Sequence, residues 1–223
     1  QHIDGHEVCF FAMYVQEYGC TCPAPNTDRI YISYLDSVPY LRTEPPHART
    51  AVYHALLTGY LSSAAARGYK HAHIWVAPPA GDVEYIFHCK PPPKFKRPMS
   101  TAKLRTWYEK MLSRAADLGI VTAISSLQEH VEHLTSVRDF PLFEGDYFDS
   151  SKFSALVSAV RAPATRASRS AVSASESGAA PPLASKQHSM AIAEEVKREV
   201  KAHKQKFLVA TLRGASASDG AKG

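Results

Sequence analysis

Residues 29–35 read RIYISYL. β-Branched and aromatic residues fill the stretch, and the turn-rich CPAPNTD (Cys22–Asp28) precedes it, so it is a strand. Upstream, VCFFAMYV (Val8–Val15) is a near-continuous apolar run of the kind a central strand carries. Downstream, Leu35, Asp36 and Ser37 sit at the strand's C-terminal end, where α/β proteins bind ligands. Asp and Ser are equally at home in a plain turn. The following loop, DSVPYLRTEPPHA (Asp36–Ala48), has three prolines and no periodicity. A loop of that length suits a functional role.

Arg49-Thr50 opens a helix in which Val52, Tyr53, Leu56, Leu57, Tyr60 and Leu61 keep the helical period and Gly68 closes it. AHIWVA (Ala72–Ala77) and EYIFHC (Glu84–Cys89) read as strands, a hairpin or neighbours across PPAGD. KPPPKFKRPMS (Lys90–Ser100) holds four prolines and cannot be regular structure. In LRTWYEKML (Leu104–Leu112), Leu104, Trp107, Tyr108, Met111 and Leu112 form one apolar stripe of a helix ending near Gly119. Ile120–Ile124 is a short strand. A helix follows Asp149 or Ser150, with Phe153, Leu156, Val157 and Val160 on its apolar face. Residues 161–188 are mostly Ala, Ser, Arg and Pro, the composition of a disordered insert. Ile192, Val196 and Val200 mark a further helix, Lys206–Leu212 a last strand, and 214–223 a frayed tail. Strands and helices alternate. The order predicts one mixed α/β domain over 1–213, with a central sheet flanked by helices and its termini meeting in that sheet.

The chain has 223 residues, 45% of them hydrophobic and 21% charged, which is globular composition. No run of about 18 apolar residues occurs, so no membrane-spanning helix is expected. The missing initiator Met and the strand near the start suggest a piece of a longer protein. A formal charge of +5 is too weak and dispersed to indicate direct nucleic-acid binding. Cys20-x-Cys22 lacks zinc-site spacing and no second pair follows, so no metal is expected and free thiols of a reducing compartment are the reading. There is no Walker loop, G-x-G-x-x-G or G-x-S-x-G.

Several residues carry possible chemistry. A helix N-terminus at Arg49-Thr50 offers free N–H groups, and a guanidinium grips phosphate through two parallel bonds. Alternatively Thr50 simply caps the helix and Arg49 is solvated. The loop 90–103 gathers five basic residues, fit for a phosphate-rich ligand or a solvated face. Glu144 and Asp146 in FEGDY suit a cationic substrate or a glycine turn. His71-x-His73 reads as one exposed and one buried imidazole. Trp107 and Tyr108 lie about 100° apart on their helix, so both can border one cleft. A ring with a polar handle needs a partner if it is buried.

Eight blocks in order, CFFAMYVQEYG, RIYISYLDSV, RTAVYHALLTGYL, GYKHAHIWVAPP, YIFHCKPP, KLRTWYEKML, FPLFEGDYF and HKQKFLVATL, resemble the catalytic domain of the CREB-binding-protein family of histone acetyltransferases. The resemblance spans about residues 3–213. It implies an acetyltransferase-like fold whose long substrate-binding loop covers acetyl-CoA as co-substrate. It implies transfer of acetyl to lysines of histone tails and other nuclear proteins, in the nucleus, by a chromatin-directed transcriptional coactivator that meets transcription factors through modules outside this chain. Under it, Leu35, Asp36 and Ser37 line the cofactor, and Arg49 and Thr50 hold its phosphates with help from Arg97. Lys103 stands where the family has an arginine. Trp107 packs on the cofactor, Tyr108 faces the thioester sulfur and donates a proton, and Trp75 shapes the tunnel for the substrate lysine. Glu144 belongs to an acidic surface for basic substrates.

The substrate loop has two residues more than the family's, Ala77 replaces a cysteine and Lys90 a histidine. The insert holds only Lys186 where animal members are lysine-rich, so control by self-acetylation is expected to be weak. The competing reading is a catalytically weak acetyl-CoA-binding scaffold within a coactivator.

Overall fold

The computed structural model describes residues 1–46, 48–78, 85–88, 99–145 and 183–214. They form two compact units. The first comprises Gln1–Pro23, Thr27–Ser126 and the chain from Gln205; the second comprises Ala24–Asn26 and Leu127–Lys204.

The first unit opens with a two-residue hairpin, β1 (His2–Ile3) and β2 (His6–Glu7), turned by Asp4 and Gly5, both at positive φ. Such a turn matches the strand twist and favours Asp-Gly. Then come β3 (Phe11–Tyr18), β4 (Arg29–Ser37), α1 (Arg49–Ala66), β5 (His71–Trp75), α2 (Thr101–Asp117), β6 (Val121–Ser125) and β7 (Phe207–Leu212). The five longer strands make one mixed sheet in the order β3-β4-β5-β7-β6. Only β4 and β5 are parallel; the other neighbours are antiparallel. A parallel pair needs a crossover, and α1 supplies it.

Both helices end at glycines with positive φ. Tyr69 N–H bonds the Ala64 carbonyl across Gly68, and Ile120 N–H bonds the Ala115 carbonyl across Gly119. These are left-handed terminations that glycine adopts at least cost. A side chain at Gly119 would also meet the Arg213 guanidinium at 3.2 Å.

One buried cluster joins Ile30, Ile32, Ile74, Val76, Leu208 and Ala210 of the sheet to Leu57 and Leu61 of α1 and Met111 and Leu112 of α2. Both helices thus cover the same sheet face. Within β4 the register slips: Tyr14 faces Tyr34, but Val15 faces Ile32. Ser33 is the extra residue, a bulge. A bulge reverses the alternation beyond it. Leu35 therefore joins the helix-side cluster with Ile30 and Ile32. Asp36 goes to the other face.

Several expectations change here. The apolar run at 8–15 is not a central strand among the described residues; its β-structure begins at Phe11 and forms a sheet edge there, because among the described strands only β4 pairs with it. The first and last long strands do not meet, since β4 and β5 separate β3 from β7. Residues 85–88 are not a strand, and β5 pairs with β4 and β7 instead. The buried face of α1 runs through His54, Leu57, Thr58, Leu61, Ala64 and Ala65, leaving Leu56 42% exposed. That helix is apolar on most sides, so periodicity alone did not decide its inner face.

In the second unit, α3 (Leu127–Val131) and a 3-10 turn at Val137–Asp139 pack against α4 (Leu183–Ala202). Ile192, Val196 and Val200 are buried as expected. The helix begins at Leu183, inside the stretch read as insert. The remaining insert, the helix expected after residue 150, and the tail lie outside the described residues. Asn26 donates to the Leu142 carbonyl at 2.5 Å and accepts from its N–H at 3.2 Å.

The sheet edge is tied to α1 through Glu17. Its carboxylate accepts two bonds from Arg67, at 2.6 and 2.7 Å, and one from the Tyr60 hydroxyl at 2.7 Å. Arg67 foremost, with Tyr60 and Tyr69, holds the Glu17 carboxyl down at about 2, against an ordinary 4.5. A depressed carboxyl contributes stability above its unfolded pKa, and that stability is lost as pH falls from about 4.5 towards 2. Glu17→Gln is expected to cost about 1 kcal/mol at pH 7 and to flatten the acid limb of a urea-denaturation series. An unchanged acid limb would refute the assignment.

Candidate active site

β4 and β5 run in parallel with Ile32 opposite Ile74, so Leu35–Ser37 and Trp75 lie at one end of the sheet. α1 starts at that end. The start of α2 is fastened there by Arg105, which donates to the Gln205 carbonyl at 3.1 Å, just ahead of β7. One sheet end therefore gathers Leu35, Asp36, Ser37, Arg49, Thr50, Trp75, Lys103, Trp107 and Tyr108. In open α/β sheets that end is the usual ligand crevice.

The N-terminus of α1 is capped by Ala48, with no side-chain cap bond. Thr50 is the second helical residue and is exposed, so it is not the cap. The first-turn N–H groups consequently have no side-chain acceptor from the cap. Arg49 reaches the carbonyls of Pro39 and Leu41 at 3.4 Å each, and its buried Nε has no partner. One turn on, Tyr53 stacks on Phe11 at 5.2 Å, and its buried hydroxyl also has no partner. Phe11 pairs with Ser37, so Ser37, Tyr53 and Arg49 share one corner. Unpartnered buried donors are costly and rare. Here two stand beside an uncapped helix N-terminus, and the donor set fits a phosphate-bearing ligand. Sequence reading took Tyr53 for core; its spacing of four from Arg49 was the available signal.

The Asp36 carboxylate holds backbone N–H groups. It is buried, its Oδ1 accepts from the Ser37 N–H at 2.9 Å, and its Oδ2 accepts from the N–H groups of Ile86 and Phe87 at 3.0 and 3.1 Å. The carboxylate clasps residues 85–88, which is why their backbone is not in a ladder. Tyr85 stacks on Tyr34 at 4.8 Å beside the clasp.

α2 begins at Ser100, whose hydroxyl accepts from the Lys103 N–H at 3.3 Å. The Lys103 side chain is exposed. Tyr108 is only 4% exposed and packs in the core cluster, and burial pushes its phenol well above the usual tyrosine value. Trp107 meets it edge-on, with centroids 5.1 Å apart and planes at 82°. His54 of α1 touches Trp107 from another side at 4.5 Å. Trp75 lies on the opposite sheet face, against Phe207 at 4.7 Å and under Lys206 Nζ at 5.7 Å.

The profile of the histone acetyltransferase domain KAT3 family matches residues 1–220. This chain belongs to that family. It is 48% identical over 152 residues to Protein cbp-1 of Caenorhabditis elegans, an overlap covering 66% of this chain and 7% of that protein. It is 42% identical over 161 residues to Histone acetyltransferase HAC12 of Arabidopsis thaliana, covering 66% and 9%. It is 40% identical over 161 residues to Probable histone acetyltransferase HAC-like 1 of Oryza sativa subsp. japonica, covering 66% and 10%. The chain thus spans about a tenth or less of the length of these relatives. Membership implies acetyl-CoA as the acetyl donor, which agrees with the donor set at Arg49 and Tyr53.

Glu144 is exposed and belongs to the second unit. Arg97, Asp146 and Cys89 lie outside the described residues. Among the described residues no group of three or more metal-ligand side chains occurs. His73 is buried, with its Nε2 3.0 Å from Arg29. Cys9, Cys20 and Cys22 are free thiols.

Asp36→Asn turns an acceptor towards three N–H donors into a mixed amide. It is expected to cost about 2–3 kcal/mol and to speed hydrogen exchange at the Ile86 and Phe87 amides. Unchanged protection at both amides would show that the clasp is unimportant.

Proposed function

We propose that this chain transfers the acetyl group of acetyl-CoA to lysine side chains of histones and other nuclear proteins, as the catalytic part of a nuclear transcriptional coactivator. The observation that carries this is the Tyr108 phenol, sealed in the core edge-on to Trp107 at the ligand end of the sheet, in a KAT3-family chain.

Arg49, with the first-turn N–H groups of α1 and Thr50, holds the cofactor phosphates, and Tyr53 adds its hydroxyl. Lys103 and Arg97 supplement the positive charge. Leu35 and Ser37, turned to the helix side by the Ser33 bulge, line the cofactor with Trp107. Asp36 keeps residues 85–88 in place on the other face of the sheet. Bound acetyl-CoA supplies a thioester, a good acetyl donor because its leaving group is a thiolate.

Tyr108 holds its proton at neutral pH, since burial disfavours the phenolate. A phenol is a weaker acid than a thiol, so Tyr108 gives its hydroxyl proton to the sulfur only as negative charge develops there and only if that proton is restored to it. Proton balance then closes: the lysine ammonium loses one proton to solvent before attack, Tyr108 protonates the departing sulfur, and the proton that the attacking nitrogen sheds as the amide forms returns to Tyr108. Deprotonating a lysine of ordinary pKa costs about 4 kcal/mol at pH 7. Trp75, tilted against Phe207 at 51°, provides an apolar wall that lowers this cost by disfavouring the ammonium. Glu144 offers an exposed carboxylate to basic substrates.

Mass-spectrometric acetylation of histone H3 and H4 tails by the chain and by Tyr108→Phe tests the reading. Wild type is expected to acetylate the tails, and the variant to lose about 100-fold or more in kcat with its acetyl-CoA-dependent rise in melting temperature intact. A wild-type chain that acetyl-CoA stabilises but that modifies nothing would make it a scaffold. Equal rates would remove Tyr108 from proton transfer.

A further inference from the structure

We propose that His54 is a positioning residue: its buried imidazole, set edge-on against Trp107, fixes the indole that borders the cofactor. The inference rests on the reading of Trp107 given above.

His54 and Tyr53 are consecutive, so the first turns of α1 point Arg49 and Tyr53 to one corner of the site and His54 to Trp107. The His54 ring lies 4.5 Å from the Trp107 ring, with planes at 66°, and Trp107 in turn lies 5.1 Å from Tyr108. The three rings form one chain from α1 into α2. His54 is 4% exposed, and its Nε2 is buried without a partner. A phenylalanine would fill such a place without burying an unpaired nitrogen. A polar group kept at such cost is expected at functional positions rather than in ordinary core.

The groups facing it come from α2. Burial first, then Arg114 and Lys110, push its pKa below the usual 6.5, while the nearby Trp107 backbone works the other way. Asp117 lines the same cavity of about 430 Å³, with Ala51, Ala55 and Leu118. The imidazole is therefore neutral at pH 7. At lower pH a proton would place a cation beside Arg114 and Lys110 and against the indole. Trp107 would then shift or be quenched.

Two measurements test this. Trp75→Phe leaves Trp107 as the single tryptophan of the chain. Its emission is expected to fall between pH 7.5 and 5 with a midpoint below 6.5, and adding His54→Phe is expected to abolish that titration. Emission independent of pH, or titrating equally without His54, overturns the proposal. In the otherwise unaltered chain, His54→Ala is expected to raise the acetyl-CoA KM about tenfold, the scale of one lost aromatic contact, without changing the histone-peptide KM. His54→Phe, which restores a ring, is expected to recover the KM at pH 7.5. A lowered melting temperature with unchanged KM in His54→Ala, while Trp107→Ala does raise it, overturns the proposal and leaves His54 a packing residue. An unchanged KM in both variants removes Trp107 from the cofactor, and the proposal falls with that reading.

Discussion

The parallel pairing of β4 with β5 sets where everything else in the first unit must lie. Parallel neighbours cannot be joined by a turn, so the chain leaves the end of β4, runs through α1 and returns. That places the start of α1, the end of β4 and the end of β5 together. The antiparallel β7 then brings its own start to the same end, and Arg105 fastens α2 there. Residues as far apart in sequence as Leu35 and Tyr108 are brought to one end of the sheet on its helix side, with Trp75 at the same end on the other face.

The bulge at Ser33 refines that placement. Without the extra residue, strict alternation would turn Asp36 to the helix side, where Leu35 now packs, and remove the clasp on 85–88. A single inserted residue thus separates two tasks of one tripeptide. Leu35 and Ser37 face the helices, and Asp36 organises backbone on the other side. The same economy holds on α1, where Arg49 and Tyr53 face the sheet edge while His54 reaches the α2 tryptophan.

Much of this was legible in the sequence. The three long helices and all five longer strands showed in apolar period, in β-branched and aromatic runs and in glycine stops at Gly68 and Gly119. The family showed in eight ordered blocks. What stayed hidden is long-range. Register depends on two strands at once, so no local pattern announces the Ser33 bulge or the edge position of β3. The 85–88 segment has strand composition, but its N–H groups are taken by a carboxylate fifty residues away. His54 escaped notice because an imidazole on a mostly apolar helix has no periodic signature; only the packing of α1 on α2 buries it. Arg97 falls outside the described residues, so its part still rests on the resemblance.

The most direct measurement is hydrogen–deuterium exchange of the chain with and without acetyl-CoA. Concerted protection at residues 35–37, at 49–54 and across 103–108 is expected, because the proposed cofactor site draws on all three segments. Binding that protects none of them, or only one, would contradict a shared site at this end of the sheet.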